Sequence, residues 1–297
     1  MSDKRSFILS CESTADLPAE LIREKNISVL SYTCLAEGEV YRDGPDLPPT
    51  LRQKFYRLLE NGVHPSTSQI NSTEYLEYFE SLPADRDILH IVFGSGMTGS
   101  ICGARIAREE FLERHPGRRL EVIDSLASSA GYGLTVLETA EWADSGLSLD
   151  ETAEKLMSLR TRVHHWFFCT DLDYHRRSGR VSNLSAAVGT LLNICPIMRL
   201  NREGRIMICG KARGIKKAAA ALAEEMLRHA ESGKDYSGPC LISYSGCRAY
   251  AEQLKNQLES LFDRLKGRVV LCEIGPVIAS NCGPGNCALF YIGDERV

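Results

Sequence analysis

From residue 6 to about residue 160, short apolar runs alternate with segments of helical period. No other feature constrains the fold as tightly. Residues 6–10, 27–35, 87–93 and 120–124 read as strands. Between them, Leu51, Phe55, Leu58 and Leu59 follow helical spacing after Pro48-Pro49 until Gly62 stops the pattern. Further helices are expected at 101–115, 130–143 and 149–160, the last opened by the capping box Ser148-x-x-Glu151. Asp16, just ahead of Leu17-Pro18, reads as the N-cap of a first helix. Strands separated by helices pair in parallel, with helices covering both faces of the sheet.

Near Val163 the pattern changes. Residues 164–170 read as a strand and 184–194 as an apolar helix. Residues 196–200 and 205–209 flank Asn201-Arg202-Glu203-Gly204, a hairpin turn in composition. Helices at 215–229 and 249–265 follow, with strands at 240–244, 269–274 and 288–292. A length of 297 residues suits two domains, so the expectation is an α/β domain over 1–162 and an α+β domain over 163–297.

Composition removes several function classes. With 43% hydrophobic and 25% charged residues the chain is globular in character. A net charge of -4 gives no basic face for a general nucleic-acid binder. The eleven cysteines are odd in number, form no CxxC pair and sit largely inside apolar runs, as Cys11, Cys169 and Cys272 do. They read as small buried hydrophobes rather than a disulfide framework. Residues 181–198 carry no charge, but Ser182, Asn183, Ser185, Gly189, Asn193 and Pro196 make them a poor membrane span. The three apolar residues after Arg5 are too few for a secretory leader, so a cytoplasmic location without membrane insertion is expected.

Three segments carry chemistry. Gly94-Ser95-Gly96-Met97-Thr98-Gly99-Ser100 lies between an expected strand and helix, where backbone N–H groups and hydroxyls suit an anion. Its glycines also spell G-x-G-x-x-G, with Asp124 ending a later strand, so an NAD(P)-dependent enzyme is the alternative reading. No Gly-Lys-Ser/Thr occurs, which excludes a Walker A loop. Pro65-Ser66-Thr67-Ser68-Gln69 is a second hydroxyl cluster in an expected loop. Residues 274–285 hold two Gly/Pro pairs around an apolar stretch and read as a turn or a rigid loop. The seven histidines show no HxxxH spacing, and His164 and His165 point to opposite faces of a strand, so no metal site is expected.

Taken together, these residues resemble the DegV family of bacterial fatty-acid-binding proteins. Ser13-Thr14-Ala15-Asp16-Leu17-Pro18 is similar to its opening signature, and Thr67-Ser68-Gln69 to its T-S-Q loop. Ser95–Ser100 resembles its S-x-L-S-G-T loop, and Val122-Ile123-Asp124-Ser125 its V-x-D-S strand end. Residues 172–182 resemble L-x-Y-L-x-x-G-G-R-I-S, and the 191–197, 211–218 and 274–285 segments follow in order over about residues 6–294. The resemblance implies two domains with one long-chain fatty acid buried between them and no other cofactor. It implies a separate dihydroxyacetone-kinase-like fatty acid kinase that phosphorylates the bound carboxylate with ATP, this chain having no catalytic residue of its own. Thr67 and Thr98 are the implied carboxylate ligands, with Ser68 and Asn281 beside them. Ser95, Gly96, Gly99, Asp124 and Ser125 form the implied supporting loop, and Arg176, Arg177 and Arg180 an implied kinase-docking patch on a surface turn. Aliphatic residues of 184–194 are candidates to line the tunnel.

The chain departs from the family pattern at several positions. Asn281 stands where the closing loop carries histidine, Thr98 where Ser is usual, Met97 for Leu, Cys195 for Lys and Ser178 for Gly. Asn281 cannot become a cation, so a carrier of a different apolar carboxylate is a further alternative.

Overall fold

All six residues of β1 (Phe7–Glu12) are buried, as in a strand covered on both faces. The computed structural model describes residues 5–181 and 193–297. After β1 come α1 (Ala19–Glu24), β2 (Ser28–Leu30), β3 (Thr33–Ala36), β4 (Glu39–Arg42), α2 (Pro49–Glu60), β5 (Ser66–Thr67) and α3 (Ser72–Ser81). Then follow β6 (Asp87–Val92), α4 (Ser100–Arg114), β7 (Leu120–Asp124), α5 (Ser129–Asp144) and α6 (Leu149–Leu159). The order β2-β1-β6-β7 makes a four-stranded parallel sheet, against which α4, α5 and α6 pack.

The second half adds β8 (Val163–Cys169), α7 (Asp173–Ser178), β9 (Ile194–Leu200), β10 (Ile206–Arg213), α8 (Ile215–His229) and β11 (Cys240–Tyr244). It ends with α9 (Arg248–Leu261), β12 (Val270–Glu273), α10 (Pro276–Cys282) and β13 (Asn286–Ile292). These strands form a mixed six-stranded sheet ordered β10-β9-β8-β13-β11-β12, in which, among the described residues, only β11 and β12 pair in parallel. The fold is therefore a parallel α/β unit followed by a mixed-sheet α+β unit.

α5 joins the two halves. Tyr132 donates to Ile91 O at 2.5 Å and accepts from Glu12 N at 2.8 Å, which fixes the helix to the parallel sheet. At its start, Ser128 N donates to His165 Nε2 at 3.2 Å, and Ser129 Oγ lies 3.1 Å from Ser243 Oγ, which fixes it to the mixed sheet.

Several expectations need correction. Asp16 does not cap α1: Pro18 is the N-cap, and Asp16 sits in a left-handed conformation, accepting from Gly275 N at 2.8 Å and Ser129 Oγ at 2.5 Å. The single strand expected at 27–35 is split, because Tyr32 N turns to Ser13 Oγ at 3.0 Å and Tyr32 O accepts from Asp43 N at 2.8 Å. β3 leaves the parallel sheet and pairs instead with β4 and β5. The 274–285 segment is helix α10, with Pro276 in its first turn and Gly283 at φ +70° ending it. Arg176 and Arg177 lie on helix α7 rather than on a turn. Of the helix expected at 184–194, Ile194 begins β9, and residues 184–192, the candidates for lining a tunnel, fall outside the described residues. All eleven cysteines are free thiols, eight of them buried. No helix among the described residues is long and apolar enough to cross a membrane.

Candidate ligand site

A cavity of about 220 Å³ collects side chains from both halves of the chain. The loop after β6 gives Phe93, Met97 and Thr98, while β5 and the residues after it give Thr67, Ser68 and Gln69. Mixed-sheet residues His165, Phe167, Leu200, Ile206 and Phe290 also line it, and α10, which packs against β5, adds Val277, Ile278 and Asn281. Tyr32, Ser128, Ser129, His175, Asn286, Ser178 and Arg180 add polar groups to the lining. The lining thus combines aromatic and aliphatic side chains with several hydroxyls.

The cavity adjoins the surface at Thr98. A surface cleft lined by Ser95, Gly96, Gly99 and Arg205 shares Gln69, Met97, Thr98, Ser178 and Arg180 with the cavity. No Asp or Glu among the described residues lines the cavity, and Arg180 is its one formal cation among them. Burial pushes His165 and His175 below the usual imidazole range, so both are neutral near pH 7. His165 Nε2 accepts from Ser128 N, which leaves its proton on Nδ1, 2.9 Å from Val163 O. His175 Nε2 lies 2.8 Å from Asn286 Oδ1.

Behind Thr98 runs a chain of buried hydroxyls. Thr98 Oγ1 is 3.0 Å from Ser100 Oγ, Ser100 Oγ is 2.8 Å from Tyr32 OH, and Tyr32 OH is 3.2 Å from Glu12 Oε2. The Glu12 carboxyl, fully buried, also accepts from Phe93 N at 2.9 Å and from the Tyr75 hydroxyl. A buried acceptor with this many donors is fixed in place, and it fixes the hydroxyls that lead to Thr98. The amide of Asn281 is oriented by its own helix, Nδ2 donating to Val277 O at 2.8 Å.

The glycine spelling G-x-G-x-x-G has a packing cause. A Cβ on Gly94 would lie 2.6 Å from Ala127 O, and one on Gly96 would lie 2.3 Å from Gly204 O. These glycines let protein backbone approach protein backbone, not a pyrophosphate. The Asp124 carboxylate accepts from Ser95 N and Leu126 N, both at 3.0 Å, so it braces the loop and is not offered to a ribose. Ser125 is buried behind it, its Oγ accepting from Ala127 N at 3.2 Å.

The structure therefore brings Thr67, Ser68, Thr98, Asn281 and Arg180 to one cavity. Ser95, Gly96 and Gly99 line the outer cleft instead. Arg176 and Arg177 are exposed and both pair with Asp173, outside the cavity. Sequence reasoning missed Tyr32, His165 and His175. The first two reach the cavity through long-range pairing that no local pattern reveals. His175 did leave a signal, since it stands where the resembled segment carries Leu.

The family model described as "Uncharacterised protein, DegV family" matches residues 8–294. The chain belongs to the DegV family. A DegV domain-containing protein of Clostridium perfringens is 32% identical over 293 residues, covering 98% of this DegV chain and 99% of that protein. The DegV domain-containing protein YteA of Lactococcus lactis is 33% identical, with 97% and 98% covered. Among solved structures, a fatty-acid-binding DegV family protein from Thermus thermophilus is 27% identical, with a TM-score of 0.79 and 97% and 99% covered. A DegV lipid-binding protein from Thermotoga maritima is 23% identical, with a TM-score of 0.83 and 98% and 100% covered. The Streptococcus pneumoniae Fatty Acid Kinase (Fak) B3 protein, loaded with linoleic acid, is 21% identical, with a TM-score of 0.81 and 97% and 100% covered. The last two likenesses show that this DegV chain shares their fold.

Proposed function

We propose that this chain binds one long-chain fatty acid and presents its carboxylate to a separate ATP-dependent acyl kinase. The observation that carries the reading is the polarity of the cavity. Its lining joins aromatic and aliphatic side chains to hydroxyls, holds no acidic side chain among the described residues, and shares Thr98 and Ser178 with the surface cleft. Thr67 and Thr98 hold the carboxylate, with Ser68 and Asn281 as further donors. Ser95, Gly96, Gly99, Asp124 and Ser125 support the loop. The acyl chain runs inward between the two domains, which we divide near residue 162. Each buried CH₂ contributes about 0.8 kcal/mol, so the tail supplies most of the affinity and the hydroxyls set its direction.

In this reading a carboxylate oxygen attacks the terminal phosphorus of ATP held by the kinase, ADP leaves, and the acyl phosphate stays on this chain. Arg180, which lines both cavity and cleft, is placed to meet the added negative charge, while Arg176 and Arg177 face a docking kinase. The protein needs no other cofactor, and its free thiols suit the reducing cytoplasm. The loading of a neighbouring fold with linoleic acid and its name as part of a fatty acid kinase support the reading. Asn281, in place of histidine, favours a second reading in which the ligand is another apolar carboxylate.

Delipidated protein titrated with palmitate against a fluorescent fatty acid tests both. Saturable displacement is expected, with affinity about 10- to 100-fold weaker in Thr67→Val/Thr98→Val, since each hydrogen bond to a charged group contributes about 1.5–3 kcal/mol and neighbouring losses are rarely additive. No displacement by any long-chain acid, together with a thermal shift on adding NAD(P), would overturn the proposal.

A further inference from the structure

We propose that His164, His229 and Asp294 form a binding site for one divalent transition-metal ion of the zinc class. The three come from the start of β8, the last residue of α8 and the segment after β13, which explains why no spacing in the sequence announces them. Their ligand atoms lie within 4.8 Å of one another. His164 Nε2 is 3.0 Å from Asp294 Oδ1, and His229 Nδ1 is 3.1 Å from Asp294 Oδ2. Ligand atoms on a tetrahedral ion with bonds of about 2.0–2.1 Å stand about 3.3 Å apart, so small side-chain movements admit the ion.

Four further observations support the site. Glu225 Oε2 lies 3.6 Å from Nε2 of His229, the ring nitrogen turned away from Asp294, within reach of the contact by which carboxylates orient metal-binding imidazoles. The His164 ring stacks with those of His229 and Tyr291, at centroid distances of 5.2 and 5.0 Å. Gly293 lets the chain come close, since a Cβ there would lie 2.2 Å from His229 O and 3.0 Å from His164 Cδ2. Asp294 N is tied to His229 O at 3.0 Å.

Two imidazoles and a carboxylate form a nitrogen and oxygen donor set that suits zinc and its neighbours rather than calcium or magnesium. The Asp294 side chain is 60% exposed, which leaves the remaining coordination positions to water and makes the ion exchangeable. Binding would clamp the C-terminal segment onto β8 and α8. The site is separate from the acyl cavity: His165, the next residue along β8, points to the other face and lines that cavity.

The test uses the full chain, with the exposed Cys102 and Cys209 replaced by Ser, stripped with a chelator and titrated with Co²⁺ and then Zn²⁺. One ion per chain is expected, with cobalt absorption free of thiolate charge transfer and a higher Tm on adding zinc. Asp294→Asn and His229→Gln, whose metal-free Tm reports folding, are each expected to lose at least about tenfold in affinity. No saturable uptake, undiminished affinity in both variants, or a thiolate band would overturn the proposal.

Discussion

Asp16 and Asp43 are buried side chains that meet where α1, α5 and α10 begin. Asp16 accepts from Gly275 N and Ser129 Oγ, and Asp43 from Ser13 Oγ at 3.3 Å. Burial first, and then the facing Asp43, push the Asp16 carboxyl up to about 8; burial outweighs the opposing pull of Arg52 and holds Asp43 near 6. A carboxyl protonated in the folded chain but ionised in the unfolded one lends stability that is complete below about pH 4. That stability is lost as the pH rises through the folded value. Buried His164, His165 and His175 are depressed and act in the opposite direction, but only below about pH 6.5, where an unfolded imidazole takes up its proton. Between pH 6.5 and 8 the expected outcome is therefore a falling stability, by up to about 1.4 kcal/mol per pH unit, read as a falling Tm. Asp43→Asn removes one carboxylate and should flatten that slope. Thermal unfolding of both proteins across this window checks the account, and equal slopes would contradict it.

At the scale of elements, the loop after β6 is held from behind by the turn between β9 and β10. Gly96 touches Gly204 so closely that Gly96→Ala must push the hairpin or the loop aside, whereas a Cβ on Gly99 meets only the flexible Gln69 side chain at 3.2 Å. Gly96→Ala is expected to cost about 1–3 kcal/mol, a drop of several degrees in Tm, and to weaken fatty-acid binding by displacing Thr98. Gly99→Ala should leave stability nearly unchanged. Paired melting curves decide the matter, and equal losses would show that the contact is not a tight one. The elements most legible in the sequence are those with local causes. The Ser148–Glu151 capping box forms as expected, with Glu151 N donating to Ser148 Oγ at 3.3 Å, and β7 and α8 fall at their expected bounds. α10 was hidden because Gly/Pro pairs mark helix ends as readily as turns. Asp16 looked like a cap because its true partners, Gly275 and Ser129, lie 259 and 113 residues away. The site divides in the same way: the hydroxyl loops show in local motifs, while His165, Tyr32 and the His164–His229–Asp294 group exist only once distant strands meet.

For the whole molecule, the parallel and mixed sheets are joined through α5, and the cavity draws on residues from both halves of the chain. Such an arrangement spends part of the apolar surface on a ligand instead of on the core. Among the described residues the cavity measures about 220 Å³, below the roughly 300–1,000 Å³ usual for ligand pockets, and a bound acyl chain must widen it or extend beyond the described lining. A ligand held this way stabilises the folded chain by mass action, so delipidation should lower Tm and restored fatty acid should raise it. Native mass spectrometry of the protein purified from a bacterial host tests the fatty-acid reading most directly. The account predicts a species heavier than the bare chain by the mass of one long-chain fatty acid, lost on delipidation and regained on adding the acid. A bare chain that takes up no long-chain acid when one is supplied would contradict it.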